Sequence, residues 1–508
     1  MSNAPDPSSR REGRSPYPAI GLFLAFYLAT RALSLGALPI FLDEAVHLQW
    51  AERLYGEGRL LRPVGSGRLL AVAVYGLALP FEDRLLVARL IASIVGAATL
   101  VVIMVLSRRL FGGVASAAAG VLYIFSPFAL VYDRLALSDG FLSAAIVSLM
   151  LAAFAIAARP DALAPRAAAA TLIVLAVLAK VSALLFLITL PLGVLILARD
   201  RFRALRSAAL SIGVGLLLAS PMLWFFARNS GEIASQHIVD PAASGSIFSA
   251  TLLDMREWAL SYFTAPVLLA AAASIALLRD GRSLGLAGSV VLPFALFAFF
   301  SQPWSARYVL PTLPPLLILI AGGVEALVSR WAPQARAAAA LALVLLALFP
   351  SLSFDRDLVV DPSRAPFPAD DRRQFVTGWP SGYGVRETAA RLEQESRSGD
   401  LTAFVDTGGT RTFPTSLAVL LGRRASIRLI EGDFGSEAVR TSMVEEMKAR
   451  RVFAVVGPRT IDLDFKTVIS SVADAERLEV YQRPGGEWAA SLFRLRKHPG
   501  DGADGQLF

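Results

Sequence analysis

Residues 84–106 read RLLVARLIASIVGAATLVVIMVL, twenty-three residues broken by only two charges, Arg84 and Arg89. Coiled as an α-helix, the stretch is about 35 Å long at 1.5 Å per residue, enough to cross a hydrocarbon layer roughly 30 Å thick. Comparable apolar blocks lie near 18–38, 113–131, 138–157, 167–180, 182–198, 207–227, 260–278, 284–301, 308–328 and 335–350. Together they make about eleven spans; around Lys180, 167–198 reads either as one bent span or as two short ones. Of the 508 residues 55% are hydrophobic and only 18% charged, a balance foreign to a soluble protein of this length. The first block is too long for a signal-peptide core and ends in no small-residue cleavage site, so it reads as a retained anchor. The expected fold class is therefore an all-α polytopic membrane protein.

Charge placement orients the spans. If the N-terminus is cytoplasmic, the inner loops carry Arg108 and Arg109, Arg159 and Arg166, Arg199 to Arg206, Arg279 and Arg282, and Arg330 and Arg336. The short outer loops carry only Arg134, Lys180 and Arg307. Cations are retained inside because translocating them is unfavourable. The net charge of +8 is thus spread between apolar blocks, which argues against a nucleic-acid partner and for the lipid bilayer. There is no cysteine, so disulfides and thiolate chemistry are excluded.

Three regions follow. Residues 1–17 are polar, basic and expected to be a disordered cytoplasmic tail; 18–350 form the membrane domain, with a polar outer loop at 41–83; 351–508 lie outside. In the last region charge and Gly/Pro content rise, and short β-rich runs appear at Thr402–Asp406, Arg451–Val456, Leu478–Gln482 and Ser491–Leu495. Helical spacing between them, at Val385–Glu395 and Ser436–Arg450, predicts a small α/β domain, joined through a linker at Pro362–Pro368.

The topology gathers ionisable residues at the outer face: Asp43 and Glu44, the Arg62–Arg68 segment, Asp133, Arg134 and Asp139, Lys180, the 228–258 loop, and Arg307 with Tyr308. Charges at an apolar boundary are costly and therefore functional candidates. Asp43 and Glu44 open an amphipathic stretch, Leu42-Asp43-Glu44-Ala45 followed by His47 and Trp50. One reading is a helix cap with a second acid in the first turn; the other is a rigidly held carboxylate acting as general base on an acceptor hydroxyl. Asp139, a second acid, caps a span, orients an acceptor or holds a divalent cation, although no His/Cys ligand cluster supports a metal. His47 reads as a packed histidine. Arg307-Tyr308-Val309-Leu310-Pro311 is either an interfacial anchor or a phosphate clamp, the planar guanidinium suiting an anion; Arg68 and Lys180 are further phosphate candidates.

These pieces in this order resemble the GT-C glycosyltransferase superfamily, in its protein-O-mannosyltransferase and lipid A aminoarabinose-transferase branch. The resemblance rests on Arg31 late in the first span, Leu42-Asp43-Glu44-Ala45, Arg134-x-Ala-Leu-x-Asp139, Leu178-Ala179-Lys180 and Arg307-Tyr308-x-Leu-Pro311, and covers roughly the first 350 residues. It implies Asp43 as catalytic carboxylate with Glu44 beside it, Asp139 as the second acidic position, and Arg68, Arg134, Lys180, Arg307 and Tyr308 around the substrates. Relatives often show Lys-Pro-Pro where this chain has Gly67-Arg68-Leu69-Leu70. The Gly378-Trp379-Pro-Ser-Gly-Tyr383-Gly stretch resembles segments after the last span of some bacterial relatives. The implied reaction is inverting transfer of a sugar from a polyprenyl-phosphate donor to a hydroxyl of an acceptor protein, lipid or glycan, without a nucleotide. A transporter or flippase for a lipid-linked or anionic substrate is the rival, but it calls for matched halves and helices broken near mid-membrane, whereas the polar residues here gather at one face.

Overall fold

The computed structural model describes residues 17–58, 66–229, 244–300, 305–407, 411–422, 424–457, 465–470 and 472–497. The expected N-terminal tail, apart from Tyr17, lies outside them, as does Arg62.

The membrane part runs α1 (Tyr17–Ala32), α2 (Leu42–Glu57), α3 (Leu69–Tyr75), α4 (Arg84–Leu110), α5 (Gly113–Ile124), α6 (Pro127–Tyr132), α7 (Asp139–Ala158), α8 (Leu163–Ala179), α9 (Ala183–Leu197), α10 (Arg201–Asn229), α11 (Phe248–Leu278), α12 (Gly281–Phe300), α13 (Ala306–Val328) and α14 (Pro333–Val360). Among the described residues seven helices are long and apolar enough to cross a membrane: α4, α7, α10, α11, α12, α13 and α14. The other four expected spans correspond to shorter apolar helices in α1, α5, α8 and α9, so the count of eleven is not confirmed.

Local chemistry explains the breaks. The block expected at 113–131 divides because Pro127 holds Ser126 in an extended conformation, φ −77° and ψ 121°. The block at 167–198 is two helices, interrupted where Lys180 turns extended, φ −165° and ψ 130°. The outer loop expected over 228–258 shrinks from both sides, as α10 reaches Asn229 and α11 is helical from Phe248. α14 runs unbroken to Val360, so the boundary expected at 350 falls inside a helix. At the head of α4, Asp83 accepts the Leu86 amide at 2.9 Å, while Arg108 and Arg109 close its last turn, at the negative end of the helix dipole.

The C-terminal part is a five-stranded sheet in the order β2-β1-β3-β5-β4, from β1 (Leu401–Asp406), β2 (Ile427–Gly432), β3 (Arg451–Val456), β4 (Asp474–Gln482) and β5 (Trp488–Arg496). β2, β1 and β3 are parallel, and β5 and β4 continue antiparallel. Every residue of β1 is buried, as a parallel strand covered on both faces must be. One face packs with α15 (Val385–Ser396) and α16 (Thr412–Leu421) through Leu401, Ala403 and Val405; the other meets α17 (Glu437–Ala449) and α18 (Phe465–Ile469) around Phe404. The first core is continuous with that of the helical bundle, and α16 lies directly against α2. The sheet domain therefore caps the bundle at the end where α4 begins. Arg108 and Arg109 lie about 40 Å away along that 27-residue helix.

Candidate active site

The start of α2 is fixed by Glu44. Its carboxylate, wholly buried, accepts from the amides of Phe41 at 3.0 Å and Ala136 at 2.8 Å, and from Arg89 Nε at 2.9 Å and Nη2 at 2.7 Å. Arg89 also donates to the carbonyls of Leu35, Leu38 and Pro39. One acid–base pair thus ties the loop before α2, the loop before α7 and the first turns of α4 together. The Gly378–Gly384 stretch adds a second hold: Leu42 donates its amide to the Pro380 carbonyl at 3.1 Å, and the Phe41 ring meets Phe375 edge-on at 5.0 Å. A Cβ at Gly382 would stand 2.0 Å from the Ile40 carbonyl oxygen, so only glycine permits the approach.

Asp43, the preceding residue, turns elsewhere. Arg307 Nη2 donates to its Oδ2 at 2.7 Å and Arg68 Nη1 lies 3.5 Å from the same oxygen. With Asp43 23% and Arg68 20% exposed, the pair is open to solvent on one side, while Arg307 is almost sealed. Burial alone would push the Asp43 carboxyl up, but Arg307 and then Arg68 outweigh it and hold it well below the usual carboxylate range. The Arg307 guanidinium also lies 5.3 Å from the Phe41 ring centroid and 5.7 Å from that of Tyr308.

His47 follows one turn later. Its Nδ1 is 2.9 Å from the Ala136 carbonyl, which can only accept, so Nδ1 carries the proton and Nε2 offers a lone pair to Arg68 Nη1 at 3.3 Å. Burial and the Arg68 charge lower its pKa to about 4, so the ring is neutral near pH 7 and steadies Arg68. Gly67, at φ +69°, has no room for a Cβ, which would fall 2.6 Å from Val181. This approach sets Arg68 beside the break that releases Lys180. Lys180 Nζ bonds Asp139 Oδ1 at 2.5 Å and lies 3.9 Å from the Tyr308 ring centroid. Asp139 lies within the fields of both Arg307 and Arg68.

Asp43, Asp139, Arg68, Lys180, Arg307 and Tyr308 are therefore one cluster. Glu44 and Arg134 stand apart from it. Glu44 has all its acceptor capacity engaged by structure, and Arg134, 4% exposed, clamps the carbonyls of Leu33 and Ser34. Asp133 is equally committed, 3.8 Å from Arg31 and accepting the Tyr27 hydroxyl at 2.7 Å. Among the described residues no group of three or more His, Asp or Glu side chains is placed to hold a metal ion.

Sequence reasoning missed Asp371. Wholly buried in the turn Ala369–Arg372 beyond the last span, it accepts hydroxyls from Ser305 at 2.7 Å, Tyr262 at 2.5 Å, and Tyr132. Burial pushes its carboxyl up and the three hydroxyls pull part of that back. Ser305 immediately precedes the turn carrying Arg307, so Asp371 sets where that guanidinium begins.

No protein-family profile matches the chain, and no curated protein sequence does. Solved structures do. The chain matches ArnT from Cupriavidus metallidurans bound to undecaprenyl phosphate with a TM-score of 0.60 at 16% identity, over 94% of this chain and 98% of that one. The apo state of the same protein matches at 0.56, with the same identity and coverage. The Archaeoglobus fulgidus oligosaccharyltransferase in complex with zinc and sulfate matches at 0.52 and 12% identity, over 93% of this chain and 72% of that one. These are GT-C superfamily glycosyltransferases, and the helical bundle with its C-terminal sheet domain is the GT-C fold.

Proposed function

We propose that this chain is a multi-pass membrane glycosyltransferase that moves a sugar from a polyprenyl-phosphate donor to an acceptor hydroxyl, with Asp43 as the base. The observation that carries the reading is the half-open Asp43 carboxylate, gripped by Arg307 and Arg68 at the end of a bundle with the GT-C fold. An undecaprenyl phosphate bound to ArnT, whose fold this chain shares, supports a lipid-phosphate donor.

The cluster's charges suit that chemistry. Among the described residues Arg68, Lys180 and Arg307 pair with Asp43 and Asp139 alone, three cations to two carboxylates, leaving one positive charge to receive a phosphate. As the acceptor oxygen bonds to the anomeric carbon, the bond from that carbon to the phosphate oxygen breaks and the acceptor proton passes to Asp43. The lipid phosphate leaves with one more negative charge than the donor carried, and the cations offset it as it grows. Attack opposite the leaving group inverts the anomeric carbon.

Asp43 is a weak base while two guanidiniums hold it. A donor phosphate that draws Arg68 and Arg307 toward itself loosens that hold and raises the carboxylate's proton affinity at the moment the base is needed. The arginine-rich loops at the opposite end of the helices support an outer placement of the cluster, with the N-terminus cytoplasmic and the sheet domain extracytoplasmic. The direct test incubates purified protein with a panel of polyprenyl-phosphate sugars and measures release of lipid phosphate. Release by the native protein and a large loss of release in Asp43→Asn are expected; undiminished release by the variant removes Asp43 from the chemistry.

A further inference from the structure

α2 extends past the cluster and lines a cavity of about 440 Å³ where it meets the carboxyl ends of β1 and β2. The lining is Gln49 and Arg53 from α2, Thr407 after β1, Arg411 and Thr415 at the head of α16, and Glu431 near the end of β2. We propose that this cavity binds the anionic part of the acceptor, a phosphorylated or carboxylated sugar. The inference rests on the glycosyl-transfer reading for the word acceptor, and on the cavity alone for the anion.

Neither the Arg53 nor the Arg411 guanidinium has a hydrogen-bond or ion-pair partner among the described residues. Other arginines along the same seam are committed: Arg84 is 3.6 Å from Glu52, and Arg424 is 3.2 Å from Glu82 and 2.9 Å from Glu393. Two idle guanidinium forks facing one space form a binding site for planar or tetrahedral oxyanions. Thr415 is 6% exposed and lines the cavity, yet its hydroxyl bonds nothing among the described residues. Because the Thr415 hydroxyl opens onto the cavity, it is available to a bound ligand.

The cavity lies beyond the carboxyl ends of β1 and β2, the end of the sheet at which open parallel sheets take ligands, beside the crevice between β1 and β3 where the strand order reverses. The ten-residue α16 starts at this cavity, and its first-turn amides favour an anion. Glu431, an exposed carboxylate, opposes a bare anion but accepts sugar hydroxyls, so the lining fits a charged saccharide better than inorganic phosphate. α2 supplies the ruler: Gln49 and Arg53 lie six and ten residues after Asp43, about 9 and about 15 Å along the axis. A glycan held there by its charge can present another hydroxyl to Asp43.

The test is calorimetric titration of the full chain in detergent with glucose 6-phosphate, glucuronate, inorganic phosphate and glucose. At least one charged sugar is expected to bind more tightly than either glucose or inorganic phosphate, and the two charged sugars tell phosphate from carboxylate recognition. Arg53→Gln combined with Arg411→Gln should weaken that binding about tenfold or more, one decade corresponding to about 1.4 kcal/mol, with thermal unfolding unchanged. Asp43→Asn should leave it intact. Absence of charged-sugar binding, inorganic phosphate binding as tightly as the sugars, or affinity untouched by the double substitution each overturns the proposal. If lipid phosphate is still released from a donor while the cavity stays empty, only this inference falls. If the cavity binds but no donor is turned over, the anion site stands and the catalytic reading falls.

Discussion

Glu44→Gln separates the two adjacent acids at the head of α2. A glutamine keeps one oxygen and turns the other into a donor. If the NH2 replaces Oε2, it faces the Phe41 amide and Arg89 Nη2; if it replaces Oε1, it faces Arg89 Nε and the Ala136 amide. Either way two of four hydrogen bonds are lost, one of them charge-assisted, and Arg89, 1% exposed, keeps a charge with no counter-ion. A neutral bond is worth about 1 kcal/mol and a charged one about 1.5–3 kcal/mol. With the stranded charge the sum falls in the range of about 3–5 kcal/mol observed when one partner of a buried pair is removed. That is a large part of a native protein's margin. The assay is the unfolding half-life of detergent-purified protein at a series of temperatures, and a sharp shortening is expected. Replacing both partners, as Glu44→Leu with Arg89→Met, should restore part of it, because no lone charge remains. A Glu44→Gln protein as durable as the native one, yet silent in turnover, would refute the anchoring role and make Glu44 a participant in the chemistry.

Asp43→Asn should do the reverse, lowering turnover by about 10²–10⁴-fold, the usual contribution of a positioned base, with most thermal durability kept; steady-state release of lipid phosphate measures it. Asp371→Asn should cost about tenfold in turnover, since an amide cannot accept all three hydroxyls and the turn carrying Arg307 shifts; unaltered turnover would leave Asp371 a purely structural acid. The buried His47 stays neutral with a pKa of about 4, against 6.5 unfolded. The unfolded chain therefore binds the extra proton between those values. The stability His47 contributes is fully present above pH 6.5 and is lost as pH falls toward 4, by about 3 kcal/mol. His47→Asn should flatten that part of a stability–pH curve.

The seven long apolar helices, the sheet strands except β2, and most of the residues of the Asp43 cluster were legible because each rests on a local signal: block length, alternation, or a short motif. β2 escaped because it is an edge strand, exposing Arg428 and Glu431 and offering little apolar patterning. α16 escaped because Pro414 reads as a breaker, although it sits in the first turn, where proline is tolerated. Asp371 had no local signal at all. Its partners Tyr132, Tyr262 and Ser305 come from positions 239, 109 and 66 residues away, and its neighbours read as a proline-rich linker. The Gly378–Gly384 stretch was visible as a pattern, but its use, seating Ile40 to Leu42, exists only once the two ends of the chain meet.

The pairing of Asp43 with Glu44 shows why roles need the third dimension. Neighbouring residues on a helix point about 100° apart, so consecutive acids meet different surroundings; where one looks into the core, the other looks along its edge. Here the helix lies between the α4 core and the cation cluster, and the turn hands Glu44 to Arg89 and Asp43 to Arg307. Rotating α2 by one residue would bury Asp43 against Arg89, too short to reach the amides of both Phe41 and Ala136, and would take the carboxylate away from Arg307 and Arg68. The fully bonded acid thereby fixes the half-open one, as the proposed base requires, because a general base must stay within hydrogen-bond reach of its proton through the whole reaction. Glu44 holds the helix in the one rotation that leaves Asp43 facing the cation cluster.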